Sequence, residues 1–408
     1  MSDFALRASE ATRVDRRVIA SAHRFGFRLL NALTTLGPVV RVPGIGVVVS
    51  EASLIRQVLL DGEHFSKVGE GASSSLWSPI IGQNGLINMD GPGHAHLRRQ
   101  LGPMFTPRFL RALLGDIVEP QLAGLRDRLL GGETVDLGHE IEVTMATVLC
   151  RMAGWDLAAT NEAEVLQQLE RAREMLGLVK LTTKSLDASQ VSEAKQKLGG
   201  IEAAVRSAYR RAEPGTVPTL LRDVGLVEDD AVSVVMALIL AGTETSISHV
   251  PRVARLAIAS GFLCRVAGIA SQDSHLRAAG ERDLDALLQE GFRVTVPSPV
   301  MIRSVTKPTL ISGKQVRPGD RVVIATHVAC QRLGDFNPDR QIPAEMRQLW
   351  FGAGVHFCIG MPLAMQVVEG YLRMLAQVEA LRPLEIRAEV LRTNSLAAGF
   401  KTFKVACR

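Results

Sequence analysis

A chain of 408 residues, 47% hydrophobic and 22% charged, is long enough to bury a large core. Its net charge of +5 is modest and only 4% of its residues are aromatic, so neither charge nor base stacking points to nucleic acid, although a basic face for an acidic protein is allowed. Five cysteines, at 150, 264, 330, 358 and 407, are too irregularly spaced for a disulfide framework and suit a reducing cytoplasm.

The first twenty or so residues mix acids and arginines with short apolar pieces, carry no signal-peptide core, and are expected as an N-terminal extension. RVIASAHRFGFRLLNALTTL is amphipathic at helical spacing up to Gly37-Pro38. VVRVPGIGVVVS (39–50) predicts a hairpin and ASLIRQVLLDG a short helix. The stretch 65–88 is rich in Ser and Gly and too long for a simple connection, which marks a functional loop. Helical patterns then run from 93 to about 300, interrupted near LTTKSLDAS (181–189) and AEPGTVP (212–218). The longest apolar run, VVMALILAG at 234–242, is too short to cross a bilayer, so no membrane anchor is expected. Residues 300–326 turn β-like, 330–350 are irregular, and a last long helix precedes a strand-like tail, LAAGFKTFKVAC. The chain reads as mainly α with small sheets.

Four constellations carry chemistry. FGAGVHFCIG (351–360) sets Cys358 among glycines where a helix begins, in the positive end of its dipole, which favours a thiolate. His356 lies too close on the same loop to pair with a nucleophile, and no zinc-like ligand cluster accompanies the cysteine; a single thiolate in apolar surroundings suits haem iron. ALILAGTETSISHV (237–250) puts Gly242, Thr243, Glu244 and Thr245 on a long apolar helix, where an acid beside a hydroxyl can order water and relay protons. Glu290 and Arg293 share one helix face and can pair. His94 and Arg98, one turn apart in MDGPGHAHLRRQLGPMFTP (89–107), can point at one anion; His96 has the wrong offset.

The cysteine loop resembles the haem-binding loop of the cytochrome P-450 family, Phe-Gly-x-Gly-x-His/Arg-x-Cys-x-Gly, at every fixed position. The other motifs are similar to family motifs in the family's order, from about residue 20 to the end. The resemblance implies one mainly α domain over 1–408 with small sheets (39–50 and 300–326), a helical part (93–300), and haem between the central helix and the cysteine-loop helix. It implies Cys358 as the axial iron ligand. Phe351, Gly352, Gly360 and Ala241 would lie along the haem, and His94, Arg98, Arg303 and His356 would meet its propionates. Thr245 would act on the activated oxygen, with Glu244 assisting proton delivery. Glu290, Arg293 and Arg340 in NPDRQIP would hold the fold. Two departures stand out. Cys330-Gln331-Arg332-Leu333-Gly334 replaces the usual Asn-Arg-Asp-Pro, and Leu363-Ala364-Met365 replaces Leu-Ala-Arg, removing a charge near the proximal face.

By this resemblance the chain would be a cytoplasmic, monomeric haem b monooxygenase of bacterial type, using O2 and NAD(P)H electrons through a ferredoxin and its reductase. Arg98, Arg99, Arg108, Arg111 and Arg347 would form the basic face for the ferredoxin. By family position Leu76, Trp77, Ile80, Ile81, Leu238, Ala241, Val296, Val300 and Phe400 would line the substrate pocket. Their aliphatic character favours an apolar small molecule. A peroxide-using fatty-acid hydroxylase or decarboxylase and a non-catalytic haem sensor are the alternatives.

Overall fold

Glu228–Ser260 forms one helix of 33 residues through the middle of the protein, buried on most sides. That matches its sequence: a helix apolar nearly all round has to be enclosed. Glu228, Asp229 and Asp230 occupy its first turn, the positive end of the dipole, and Gly261 closes it at φ 77°. By length and composition this helix would pass for a membrane span, which the short apolar run did not suggest, but 67% of its apolar window is buried inside the protein. The computed structural model describes residues 3–22, 24–155, 162–176, 183–393 and 398–408. Part of the interruption expected at 181–189 lies outside them.

The helices Leu137–Ala153 and Met361–Leu381 pack beside the central helix, and Pro107–Leu130 packs on both of these. A five-stranded sheet lies to one side. Its strands run in the order Val39–Val42, Gly46–Val49, Arg321–Ile324, Met301–Val305 and Phe65–Ser66, and only the second and third are parallel. The expected hairpin at 39–50 belongs to it, as do two strands of the β-rich 300–326; the other two, Thr309–Ile311 and Lys314–Val316, pair as a separate hairpin. Gly46 is required there, since a Cβ would stand 2.2 Å from the Arg321 carbonyl oxygen.

Two expectations need correction, and one strand went unannounced. The N-terminal extension is instead a helix, Asp3–Ala22, packed on the central helix. Its Asp15, 3% exposed, forms a bidentate pair with Arg252 at 2.8 and 2.7 Å, and Ala8, Ala11, Val18 and Ile19 are buried. The loop 65–88 contains a helix, Ser73–Ile81, whose polar first turn hid it. The tail strand, Phe400–Cys407, pairs with Leu384–Leu391, a strand the sequence did not announce because its burial does not alternate cleanly.

Candidate haem-thiolate site

The cysteine loop is shaped by its backbone. Gly352 and Gly354 take φ 82° and 69°, and a Cβ on Gly354 would lie 2.6 Å from the Leu59 carbonyl oxygen. The Cys358 N–H donates to Phe351 O at 3.0 Å, which closes the loop. Gly360 then caps the helix Met361–Leu381, with Pro362 in the first turn. Cys358 is surrounded by protein except where it opens on a cavity of about 440 Å3. Burial pushes its thiol above the ordinary value, while the N–H groups of Gly360 and Met361 and the charges of Arg98 and Lys67 pull the other way. Metal ligation would favour the thiolate outright.

Both expected helices face this cavity: Leu238, Ala241, Gly242 and Thr245 from the central helix, Leu363, Ala364 and Val367 from the other. Thr245 Oγ1 donates to Ala241 O at 2.9 Å, so its lone pairs are free to accept. Thr243 instead turns into the core and donates to Ile239 O. The two hydroxyls sit on one continuous helix.

One end of the cavity is cationic. His94, Arg98, Arg303 and His356 all line it, together with Lys67. Arg98 donates to Phe357 O and Arg303 to Ile302 O, and among the described residues neither has a carboxylate within ion-pair distance. His356 Nε2 sits 3.0 Å from Asp90 Oδ1, and the His94 and His356 rings are 4.3 Å apart. Burial, and then the charge of its neighbour His356, lowers His94 to about 4. Burial opposes but does not overcome the hydrogen bonds from His356 and Ser66, which hold Asp90 well below the carboxylate range. Burial also lowers Arg303 to about 10.

The Glu290–Arg293–Arg340 group is assembled as expected. Arg293 grips Glu290 at 2.7 and 2.6 Å and also reaches the carbonyls of Cys330 and Gly334, while Arg340 Nε lies 3.7 Å from Glu290. Phe351 and Gly352 line the cavity, as does Gly360.

Other expected residues sit elsewhere. Glu244 does not face the cavity; it is 2% exposed and paired with Arg173 and, at 3.5 Å, with Arg392. A carboxylate next to Thr245 in a helix points about a quarter-turn away, towards whatever cations the neighbouring helix offers. Of the pocket set, Leu76, Trp77, Leu238, Ala241 and Val300 line the cavity. Ile80, Ile81, Val296 and Phe400 do not: each is packed in the core, Phe400 against Phe403 at 5.3 Å. Their walls are supplied instead by Leu86, Ile87, Leu149 and Met152. His249, on the central helix one turn past Thr245, also lines the cavity, with Nδ1 2.8 Å from Thr295 Oγ1 and burial keeping the ring neutral. Neither His249 nor Lys67 carried a sequence signal beyond being a lone basic residue.

The donor set fits haem on three counts. Sulfur and an apolar wall share one cavity, cations without carboxylate partners crowd its edge, and no cluster of three His, Cys, Asp or Glu side chains suited to a bare metal ion exists among the described residues. Fold and site together define a haem-thiolate protein. No family model matches the chain. Among curated proteins it is 29% identical over 337 residues to the erythromycin C-12 hydroxylase of Saccharopolyspora erythraea, covering 76% of each chain. It is 25% identical over 331 residues to cytochrome P450 165C4 of Amycolatopsis orientalis, covering 76% of this chain and 74% of that one. The solved structure of P450BioI in complex with hexadec-9Z-enoic acid ligated acyl carrier protein superposes with a TM-score of 0.77 at 18% identity, over 95% of this chain and all of that one. The chain belongs to the cytochrome P-450 family and resembles its bacterial members; it is an oxidoreductase of the monooxygenase class.

Proposed function

We propose that the protein inserts one oxygen atom from O2 into an apolar small organic substrate, by hydroxylation or epoxidation, with electrons passed from NAD(P)H through a ferredoxin reductase and a ferredoxin. The observation that carries this reading is the presence of Cys358 and Thr245 in one apolar cavity whose edge is cationic. Cys358 would ligate the iron of haem b, and Arg98, Arg303, His94 and His356 would hold its two carboxylates. When bound, haem supplies the oxygen chemistry, with the thiolate donating electron density.

The chain's own part is positioning and proton supply. Thr245 Oγ1, anchored on Ala241 O, can accept a hydrogen bond from the cavity and hold a water or proton there. Leu76, Trp77, Leu86, Leu238 and Val300 exclude bulk water and present an aliphatic surface to substrate. Glu244, held by Arg173 and Arg392, is a proton source for Thr245 only when its side chain leaves those arginines. The curated relative at 29% identity is named as an erythromycin C-12 hydroxylase, which supports hydroxylation of an organic substrate.

Ferredoxin docking has its own support. Arg99, Arg108, Arg111 and Arg347 are exposed and have no acidic partner among the described residues. Val355 in the cysteine loop and Leu60 are exposed at 57% and 59%, apolar side chains that a docked protein could cover. Turnover of apolar candidates with NADPH and a surrogate ferredoxin couple tests the reading. The expected result is an oxygenated product, and Thr245→Val should keep the substrate-induced spin shift yet form less product per NADPH. Product formation only with added peroxide would contradict it.

A further inference from the structure

Lys67 stands out because, among the described residues, no carboxylate pairs with it directly. It sits at the end of the strand Phe65–Ser66 and lines the cavity at its cationic end. Its backbone N–H donates to Asp90 Oδ2 at 3.1 Å, and Ser66 Oγ donates to the same oxygen at 2.7 Å. The other Asp90 oxygen faces His356 at 3.0 Å. Asp90 thus ties this strand to the loop that carries Cys358 and fixes where the Lys67 side chain starts. The ammonium itself has no carboxylate within ion-pair distance among the described residues; Arg303 and Arg98 repel it, while Cys358 and Asp90 attract it from further off.

A cation drawn into protein among other cations is costly unless something anionic arrives. Burial, and next Arg303, lower Lys67 to about 7, the expected behaviour of an amine left without a counter-ion. Charge at this end can be counted. With an anion present to hold its proton, Lys67 joins Arg98 and Arg303 as a cation, both imidazoles are held towards neutral, and Asp90 is the one carboxylate among these residues. Three against one leaves a surplus of two positive charges, which the two propionates of a haem would cancel. Without Lys67 one propionate would lie at this end unmatched.

On the haem-thiolate reading, we propose that Lys67 is a haem-positioning residue whose ammonium binds a propionate carboxylate alongside Arg98 and Arg303. Its charge belongs to cofactor retention and redox poise, not to folding. The test compares wild type, K67M and K67R by the rate of haem loss from the ferric protein to excess apomyoglobin, by midpoint potential, and by the melting temperature of the haem-free protein. K67M is expected to lose haem roughly ten- to a hundred-fold faster, the worth of one charged hydrogen bond. It should have a more negative potential and melt, without haem, no lower than wild type. K67R should recover most of the retention. Unchanged haem loss in K67M overturns the proposal, and so does faster loss with an equally lowered haem-free melting temperature, which would make Lys67 structural. Normal haem retention in K67M, with loss of the spin shift that palmitate induces in wild type, would assign the cation to a substrate carboxylate and also overturn it. Absence of a thiolate-type spectrum in wild type would instead sink the haem-thiolate reading, a separate outcome.

Discussion

Gly354 shows how much of the site rests on single residues. Its φ of 69° and the 2.6 Å approach of a would-be Cβ to Leu59 O leave no space for a side chain. Gly354→Ala should cost about 1–3 kcal/mol from strain alone, read as a lower melting temperature and faster haem loss; an unchanged melting temperature would mean the loop adapts freely. Among single residues, the sequence was informative wherever function demands a residue type at a fixed offset: Cys358, Thr245, Arg98 and Arg303 all reach the cavity. It was uninformative about Glu244 and Lys67. The direction of a helical side chain depends on which neighbours offer charge, and Arg173 and Arg392 come from distant segments with no motif of their own.

Among elements, the helix Ser274–Thr295 is locked to the stretch before the cysteine loop by Arg293. Arg293 is 0% exposed and satisfies Glu290 and three carbonyls, so Arg293→Met should destabilise by roughly 3–5 kcal/mol because Glu290 is left charged and buried. Arg340→Met should cost only about 1 kcal/mol, since that side chain is partly exposed and lies 3.7 Å from Glu290. Urea midpoints of the two variants check this; equal losses would contradict the division of labour. The hairpin at 39–50 and the central helix were legible because each follows one period. The helix Ser73–Ile81 was not, because SSS and an internal proline imitate a loop, and what makes it helical is packing of Leu76, Ile80 and Ile81. For the same reason, pocket residues assigned by position went half astray: packing, not offset, turned Ile80 and Ile81 inward.

Over the whole molecule, acid stability and electron transfer depend on where charge is kept. His327 is fully buried and burial lowers it to about 4, against about 6.5 in the unfolded chain. Its contribution is therefore complete above pH 6.5 and is lost as pH falls from about 6.5 to about 4, on the order of 3 kcal/mol. Denaturant midpoints measured across that window should fall less steeply in His327→Gln than in wild type; parallel curves would remove His327 from the acid limb. On the outer surface, reversing Arg99 and Arg347 to Glu should slow reduction by ferredoxin roughly tenfold at low salt, with wild type itself slowing as salt rises. Stopped-flow reduction with unchanged substrate affinity is the check, and equal rates would place docking elsewhere.

The proposed chemistry depends first on Cys358 giving a haem iron its thiolate. The absorption spectrum of the reduced protein with carbon monoxide reads that bond. A strongly red-shifted Soret band in wild type, lost in Cys358→Ser, is the expected result. A band at the position of histidine or neutral-thiol ligation, or a protein that takes up no haem, would contradict it.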